Sequence, residues 1–573
     1  MVKFLIGLVT GIALVLLTII LLFVAALRFR EKPPDIAANS VLVLRLEGEI
    51  PEKAPVELPS FLSDRVPVTV TSVWTSLKKA AADAHIKAVM LEPESVSAGW
   101  AKLEELHMDL EQFRKSGKPV FAYLRTPGAR EYYLATAADR VYLGPADQVY
   151  LKGLHAEILY FKKTLDKLGV SVEVEHAGKY KDFGDMFTRS DMSPETREVM
   201  NSVVDDLYGH LIAGIAAARK KSPEEVRATI DRGPFTAPQA LKAGLVDELR
   251  FEDQAWGELK DRLKSGEPNK VSLDKYVRVP LESLGLEGKS RIAMVMAEGD
   301  IVRGDPSDDG AAESSLTSYG FIKMLHQVSA DSLVKGVVIR IDSPGGEVVA
   351  SDEMWREMGL LSKKKPMVIS MSDTAASGGY YMAMTGDPIV AYPGTLTGSI
   401  GVVFGKPNIH GLYEKVGVTK EAIERGKHAG IDSDYRPLTP DERQMLRDGV
   451  DESYKDFVGK VAQARHRKFE EIEPLAQGRV WMGDQAKSNG LVDAVGGLDT
   501  AIDMVKKKAN IPAGERVSIA VYPGRHSFLD ILMRKSQDDM LEAKLAQVFG
   551  PMPFHAWMKG GYLRILPYRV DVR

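Results

Sequence analysis

The chain has 573 residues, more than one hydrophobic core usually supports, so we expect two or more domains. Its 75 Lys and Arg residues nearly balance 79 Asp and Glu residues, and the net charge of −4 provides no general attraction for nucleic acid. The absence of cysteine excludes disulfides, thiol catalysis and thiolate metal sites.

The N-terminal segment 4–27 is uncharged over 24 positions. A helix of this length crosses a hydrocarbon core of about 30 Å, and it exceeds the roughly 7–15 apolar residues of a secretory signal. We therefore expect an uncleaved transmembrane anchor. Lys3 precedes the segment and Arg28, Arg30 and Lys32 follow it, which slightly favours a cytoplasmic body and leaves the orientation open on charge alone.

An internal duplication accounts for most of the remaining chain. YYLATAADRVYLGP (132–145) aligns with YYMAMTGDPIVAYP (380–393) at an offset of 248, with five identities in fourteen positions. KAVMLEPESVSAG and DKLGV find partners at the same offset, and ALKAGLVDEL finds one at an offset of 246. Four collinear matches indicate two copies of one domain.

Each copy has the pattern of an α/β domain. In the second copy, the apolar run 335–342 predicts a buried parallel strand, 351–365 a helix and 366–373 the next strand. The predicted divisions are a first repeat over 40–250, a connector over 252–290, a second repeat over 291–510 and a C-terminal extension over 511–573. Residues 305–315 are polar and expected to be mobile, and a packed terminal strand is favoured for the aromatic, basic tail 551–573.

The two copies differ where a catalytic site would lie. Ser377, in TAASGGYY, aligns with Ala129 of the first copy. The second copy's loop SPGG aligns with SVSA at 95–98, so Gly345 and Gly346 have no glycine counterparts. Glycine lets a substrate carbonyl approach backbone N–H groups closely, so the second copy alone has the equipment for acyl transfer.

A lysine shows the opposite difference. Lys181, in GKYKD, aligns with Ala429, whereas the competing Lys179 aligns with Lys427 and is therefore kept in both copies. This contrast favours Lys181 as a base that the first repeat supplies to the second. The nearby His176 is interpreted as structural.

The combination of SPGG, AASGGY and TLTGSIGV in the second copy with GKYKD and DMSPETRE in the first resembles the signal peptide peptidase A family. The resemblance covers nearly the whole chain. It implies tandem α/β domains of the Clp protease and crotonase superfamily and a Ser–Lys dyad. Carried over to this sequence, Ser377 is the nucleophile, Lys181 the general base and Ser399 the residue that orients the lysine.

This chemistry sets physical requirements. A free lysine, with a pKa near 10.4, is protonated at neutral pH, and burial in an apolar pocket lowers the pKa of a lysine enough to make it a base. Gly378, directly after the serine, and either Gly345 or Gly346 are the candidate oxyanion donors. AASGG departs from the G-x-S-x-G pattern of α/β-hydrolases, and no motif indicates a metal or another cofactor.

The resemblance implies a membrane-bound serine endopeptidase that degrades released signal peptides and other short apolar peptides. It also implies a homotetramer in the bacterial cytoplasmic membrane with a periplasmic catalytic body. Two alternatives remain, a broader membrane-quality-control protease and a non-catalytic membrane scaffold. The sequence also leaves open whether Lys181 and Ser377 meet within one chain or between chains.

Overall fold

A computed structural model gives the fold, and it describes residues 34–53, 68–264, 266–304, 315–524 and 561–566, together with Gly11. The predicted anchor 4–27, apart from Gly11, and nearly all of the polar segment 305–315 lie outside these residues. In the part of the chain that is described, no helix is both long enough and apolar enough to cross a membrane.

The first repeat is built on a parallel sheet with the strand order β8-β4-β3-β2-β1-β9. Its strands and those near it are β1 (Ser40–Glu49), β2 (Ile86–Ser97), β3 (Val120–Leu124), β4 (Arg140–Leu143), β5 (Gln148–Val149), β6 (Ser171–Ala177), β7 (Phe235–Thr236), β8 (Glu248–Leu249) and β9 (Asn269–Ser272). Every residue of β3 is buried, as expected for a strand covered on both faces. The short strands β5 and β7 pair with each other.

Helices cover both faces of this sheet. They are α1 (Val70–Ala82), α2 (Trp100–Arg114), α3 (Ala129–Ala135), α4 (Lys162–Leu168), α5 (Asp185–Thr188), α6 (Pro194–Arg219), α7 (Pro223–Ile230), α8 (Ala237–Lys242), α9 (Glu252–Leu263) and α10 (Leu273–Val277). Within 252–290, predicted as a connector, α9 packs Trp256 and Leu259 on one face of the sheet and β9 extends its edge. This segment therefore also contributes to the core of the first repeat.

The second repeat contains β10 (Ser290–Glu298), β11 (Asp300–Val302), β12 (Ser315–Thr317), β13 (Val334–Ser343), β14 (Gly345–Glu347), β15 (Met367–Ala376), β16 (Ile389–Ala391), β17 (Leu396–Gly398), β18 (Val402–Asn408), β19 (Val480–Met482), β20 (Ala494–Val495) and β21 (Val517–Tyr522). Its helices are α11 (Ser318–Ala330), α12 (Val348–Ser362), α13 (Gly378–Met382), α14 (His410–Val416), α15 (Pro440–Ala464), α16 (Phe469–Ile472), α17 (Gly483–Ser488) and α18 (Leu498–Lys508). Short 3₁₀ helices span Glu282–Leu284 and Glu473–Leu475. The strands predicted over 335–342 and 366–373 and the helix over 351–365 are confirmed as β13, β15 and α12.

The parallel strands of the second repeat lie in the order β20-β16-β15-β13-β10-β21. Each of these strands has a counterpart at the same place in the first sheet, whose order is β8-β4-β3-β2-β1-β9. The duplication predicted from the sequence is therefore confirmed by topology. The second sheet also continues past β15 through β17 to the antiparallel strand β19.

A third, mixed sheet joins the two repeats. Its order is β12-β11-β14-β22-β18-β6, where β22 (Gly561–Ile565) comes from the C-terminal tail. β6 of the first repeat runs antiparallel to β18 of the second along its whole length, with Ala177 opposite Val402. The terminal strand predicted within 551–573 is confirmed as β22.

Buried charges also cross the boundary between the repeats. Arg340, on β13, is fully buried and its Nη2 lies 2.7 Å from Glu52 Oε1 and 3.2 Å from Glu105 Oε2 of the first repeat. Burial alone raises the pKa of Glu52, but the positive charges of Arg340 and Lys102 outweigh it and lower that pKa below its ordinary value. The ion pair therefore holds Glu52 in its charged form inside the interface.

Replacing Arg340 by methionine should lower the free energy of unfolding by about 3–5 kcal/mol, because it leaves the Glu52 carboxylate buried without its cation. Chemical denaturation followed by circular dichroism would measure the loss. The double variant Arg340→Met/Glu52→Gln should recover part of it, since the unpaired charge is then gone. A single variant as stable as the parent would contradict this account of the interface.

Candidate active site

Ser377 lies at the sharp turn between β15 and α13. Its backbone has φ +54° and ψ −114°, a conformation that is strained for any residue with a Cβ. The turn is fixed because Ser377 N donates to Gly398 O at 2.8 Å and Ser377 O accepts from Tyr381 N at 2.8 Å. The G-x-S-x-G pattern is absent, yet the turn holds the serine hydroxyl as a nucleophile elbow does.

Lys181 meets Ser377 within one chain. Lys181 Nζ lies 2.8 Å from Ser377 Oγ, and both side chains are fully buried. The same Nζ lies 2.9 Å from Ser399 Oγ and 3.1 Å from the Ser399 carbonyl oxygen. The three residues that the sequence singled out for catalysis are thus brought together from both repeats.

The pairing of β6 with β18 carries Lys181 into this position. The chain leaves β6 at Ala177 and turns through Gly178, and Tyr180 N donates to Gln477 O at 2.7 Å. A Cβ added to Gly478 would lie 2.6 Å from both the backbone N and the Cβ of Lys181, so Lys181 packs directly against a glycine that has no side chain.

Asp182 anchors the other side of the lysine turn. Its carboxylate accepts a very short hydrogen bond from Thr196 Oγ1, at the start of α6. Burial raises the pKa of Asp182 to about 6, with the hydrogen bond from Thr196 opposing the rise. The turn that carries Lys181 is therefore fixed at both ends by polar contacts.

The candidate oxyanion donors lie on either side of Ser377. Gly378 is the first residue of α13, where a backbone N–H has no partner within the helix. The loop of Gly345 and Gly346 packs against this helix, since a Cβ on Gly379 would lie 2.7 Å from Ser343 O. Gly345 N donates to Ser343 Oγ at 3.2 Å, and a Cβ on Gly346 would lie 2.0 Å from Ile301 O, so packing against β11 also requires glycine there.

The competing residues near Lys181 point elsewhere. Lys179 is exposed, and its Nζ lies 3.4 Å from Tyr180 Oη and 4.9 Å from the centre of the Tyr180 ring. His176 is also exposed, with Nδ1 3.2 Å from Gly178 O. The structure therefore does not bring either of them to Ser377.

The corresponding place in the first repeat is filled by a carboxylate. Glu131, aligned with Gly379, is buried and accepts hydrogen bonds from Val96 N at 2.7 Å and Gly128 N at 2.9 Å. The two donors, Val96 and Gly128, align with Pro344 and Ala376 of the second copy. The first repeat thus lacks the hydroxyl, and a buried carboxylate lies in the corresponding position.

The tail strand β22 lies beside the segment that carries Ser377. It runs antiparallel to both β14 and β18, and Leu566 N donates to Pro344 O at 2.8 Å. Leu563 and Ile565 are buried among apolar residues that include Phe183, while Leu566 belongs to the same cluster as Ala376. An extended peptide segment therefore occupies the strand position that passes the site.

Comparison with known proteins identifies the family. The model described as "Peptidase family S49" matches residues 112–265 and 359–512. "Serine protease SPPA, chloroplastic" of Arabidopsis thaliana is 38% identical over 488 residues, covering 84% of this chain and 71% of that protein. "Protease 4" of Salmonella typhi is 32% identical over 522 residues, covering 87% of this chain and 82% of that protein.

The chain belongs to peptidase family S49, and it is a serine protease with tandem copies of the family's domain. Among solved structures, a ClpP1 mutant from Listeria monocytogenes is similar with a TM-score of 0.24 and 14% identity, covering 36% of this chain and 94% of that chain.

The segment around Gln477 and Gly478 supports Lys181, and the sequence did not predict this contact. Gln477 Oε1 also accepts from Lys179 N at 3.0 Å, so this segment holds two successive residues of the lysine turn. A single glycine far from both GKYKD and AASGG carries no signal of this contact. Only the fold shows that a side chain at position 478 would meet Lys181.

Replacing Gly478 by alanine should lower kcat at least tenfold, because the new methyl group displaces Lys181 from Ser377. Gly417→Ala is the matched control, since Gly417 has the same φ of +74° but no atom within 4 Å of its added Cβ. Peptidase assays on both variants, with thermal melting to verify folding, would separate displacement from backbone strain. Equal kcat values for the two variants would contradict the supporting role of Gly478.

Proposed function

We propose that the chain is a membrane-bound serine endopeptidase in which Lys181 activates Ser377 as the nucleophile. The observation that carries the proposal is the 2.8 Å contact between Lys181 Nζ and Ser377 Oγ in a fully buried site. A serine hydroxyl needs a positioned base, and an amine becomes one when burial disfavours its ammonium form. Ser399, which accepts hydrogen bonds from Nζ, orients the lysine.

The reaction follows from these positions. Ser377 Oγ attacks the carbonyl carbon of a peptide bond while Lys181 Nζ takes the hydroxyl proton. The negative oxygen that forms is held by the N–H of Gly378 and by one from the Gly345–Gly346 pair. The C–N bond then breaks as Lys181 returns the proton to the departing amine, which leaves an acyl-enzyme on Ser377. Water, deprotonated by Lys181, releases the new carboxylic acid and restores the serine.

The proposed substrates are released signal peptides and other short apolar peptides in extended conformation. The position of β22 supports this class, because β22 lies between β14 and β18 and pairs its main chain with both. An extended substrate in the place of β22 would pair in the same way. Alternate side chains of that strand, Leu563 and Ile565, face an apolar pocket that includes Phe183 and Phe187. Branched aliphatic residues at alternate positions of a substrate would fill the same pocket.

The proposed location is the bacterial cytoplasmic membrane, with 4–27 as the anchor and the catalytic body in the periplasm. The uncharged length of that segment supports the anchor. An anchor would keep the site close to peptides that remain in the bilayer after their release from preproteins.

We also propose a homotetramer, as the family resemblance implies. The adjoining tips of α4 and α14, in contact through Gly169 and Gly411, carry exposed apolar side chains. Among them, Leu168 of α4 and Val416 of α14 are 47% and 64% exposed. Exposed apolar side chains on two neighbouring helices support burial against a second copy.

The dyad is tested by kinetics of three variants on an apolar fluorogenic peptide. Ser377→Ala and Lys181→Met should each lower kcat by at least a thousandfold, since nucleophile and base act as one unit. Lys179→Met is the control for loss of a lysine in the same turn, and it should keep kcat within twofold. A Lys181→Met enzyme that retains most of the activity would contradict the proposal. An inactive Lys179→Met enzyme would also contradict it.

The substrate position is tested by loosening β22. The double variant Leu563→Asp/Ile565→Asp places charges in an apolar pocket, so β22 should leave its position between β14 and β18. The peptide would then bind without displacing β22, and its KM should fall at least threefold. Leu333→Asp, at an exposed leucine, controls for an added charge and should leave KM unchanged. A rise in KM accompanied by a lower melting temperature would show instead that β22 is an integral part of the site.

A further inference from the structure

Lys102 of the first repeat reaches into the second repeat next to the active-site segments. It is the third residue of α2, and its side chain is 8% exposed. Its Nζ lies 2.7 Å from Asp342 Oδ2 and 3.7 Å from Asp373 Oδ2. Both carboxylates belong to strands that lead directly into the catalytic loops. Asp342 precedes the SPGG loop and Asp373 lies four residues before Ser377.

Asp342 occupies an irregularity in the sheet. The pairing of β13 with β15 runs regularly to Ile341 opposite Met371 and resumes with Ser343 opposite Ala375. Three residues of β15 therefore face Asp342 alone, and Asp342 Oδ1 accepts from Thr374 N at 3.0 Å. A bulge of this kind redirects the strand that follows it. The side chain of Asp342 thus sets how both catalytic segments leave the sheet.

Asp373 fixes the second segment against the first repeat. α2 begins after Gly99, which has no side chain to cap the helix. Asp373 supplies the cap from the other repeat, since its carboxylate accepts from Gly99 N and Lys102 N, each at 2.9 Å. A Cβ on Gly99 would lie 2.3 Å from Asp373 Cγ, so the close approach requires glycine.

We propose that Lys102 is a positioning residue for the Ser377 site, acting across the repeat boundary through Asp342 and Asp373. The inference rests on the proposed role of Ser377 and concerns a residue outside the dyad. Lys102 touches neither nucleophile nor base. It holds together two carboxylates that would otherwise repel each other, and thereby fixes the bulge from which the SPGG loop and the serine turn emerge.

The charges around Lys102 explain why the lysine is needed. Its Nζ also lies 3.8 Å from Glu298 Oε1, and the Glu52–Arg340 pair is adjacent. Burial lowers the pKa of Lys102, but the surrounding carboxylates, Asp342 first, outweigh it and hold that pKa above its ordinary value. Burial raises the pKa of Asp373 to about 6 even though Lys102 opposes the rise. Removing the lysine therefore leaves acidic groups that relieve their repulsion by moving apart or by binding a proton.

Lys102→Met should lower kcat at least tenfold while KM for the apolar peptide stays within twofold. Lys79→Met is the matched control, because Lys79 is equally buried in the first repeat but donates to the carbonyls of Tyr276, Val277 and Val279. Both variants should melt at lower temperature, but Lys79→Met should keep its kcat. A kcat in Lys102→Met no lower than in Lys79→Met would overturn the proposal.

The pH profile gives a readout that a purely structural role would not move. Burial also raises the pKa of Glu298, to about 7. As pH falls from about 8 to 5, protonation of Asp373 and Glu298 removes the repulsion, so the kcat ratio of Lys102→Met to the parent should rise. The facing groups that set this response are Asp342, Glu52 and Arg340. A ratio that stays constant across this range would contradict the positioning role.

Two further variants keep the test decisive if Lys102→Met folds poorly. Asp342→Asn retains an oxygen for Thr374 N but loses the ion pair, and it should lower kcat at least fivefold. Lys102→Arg keeps the cation and should keep kcat within threefold of the parent. A fully active Asp342→Asn would reject the inference while an inactive Ser377→Ala still upheld the dyad, so the two failures are distinguishable.

Discussion

The antiparallel pairing of β6 with β18 is the contact on which the site depends. It is the main-chain connection that carries a lysine of one repeat to a serine of the other. Because the ladder fixes register, the turn that follows β6 begins at a defined position. This turn places Lys181 Nζ 2.8 Å from Ser377 Oγ. A slip of one residue would turn the side chains of β6 to the opposite faces of the sheet. Either repeat alone would hold only one residue of the proposed dyad.

This arrangement explains how a duplicated chain can hold one site per pair of repeats. The second repeat keeps the strained serine turn and the glycine loop, whereas the first keeps the lysine turn and fills its own corresponding position with Glu131. In the proposed mechanism, each copy supplies only part of the catalytic site, provided that the interface stays rigid. The interface accordingly contains buried ion pairs, Arg340 with Glu52 and Lys102 with Asp342, whose geometry transmits the position of one repeat to the other.

Much of the fold followed from the sequence because apolar runs and turn residues act locally, and comparison of the two copies isolated Ser377 and Lys181 as residues that only one copy has. What could not be predicted depends on contacts between distant segments. Gly478 beneath the lysine and the ion pair of Lys102 leave no pattern in a single sequence. The helix α9 and the edge strand β9 within 252–290 were likewise not predicted, because this segment is charged and only a few apolar residues form the buried face of its helix.

In the proposed mechanism, the lysine of one repeat makes the serine of the other nucleophilic. The most direct measurement is the rate at which a fluorophosphonate probe modifies each serine, mapped by peptide mass spectrometry in the parent and in Lys181→Met. We expect a single modified site at Ser377 in the parent and a loss of that modification in the variant. Modification of Ser377 at equal rates in both proteins, or of another serine in the parent, would contradict it.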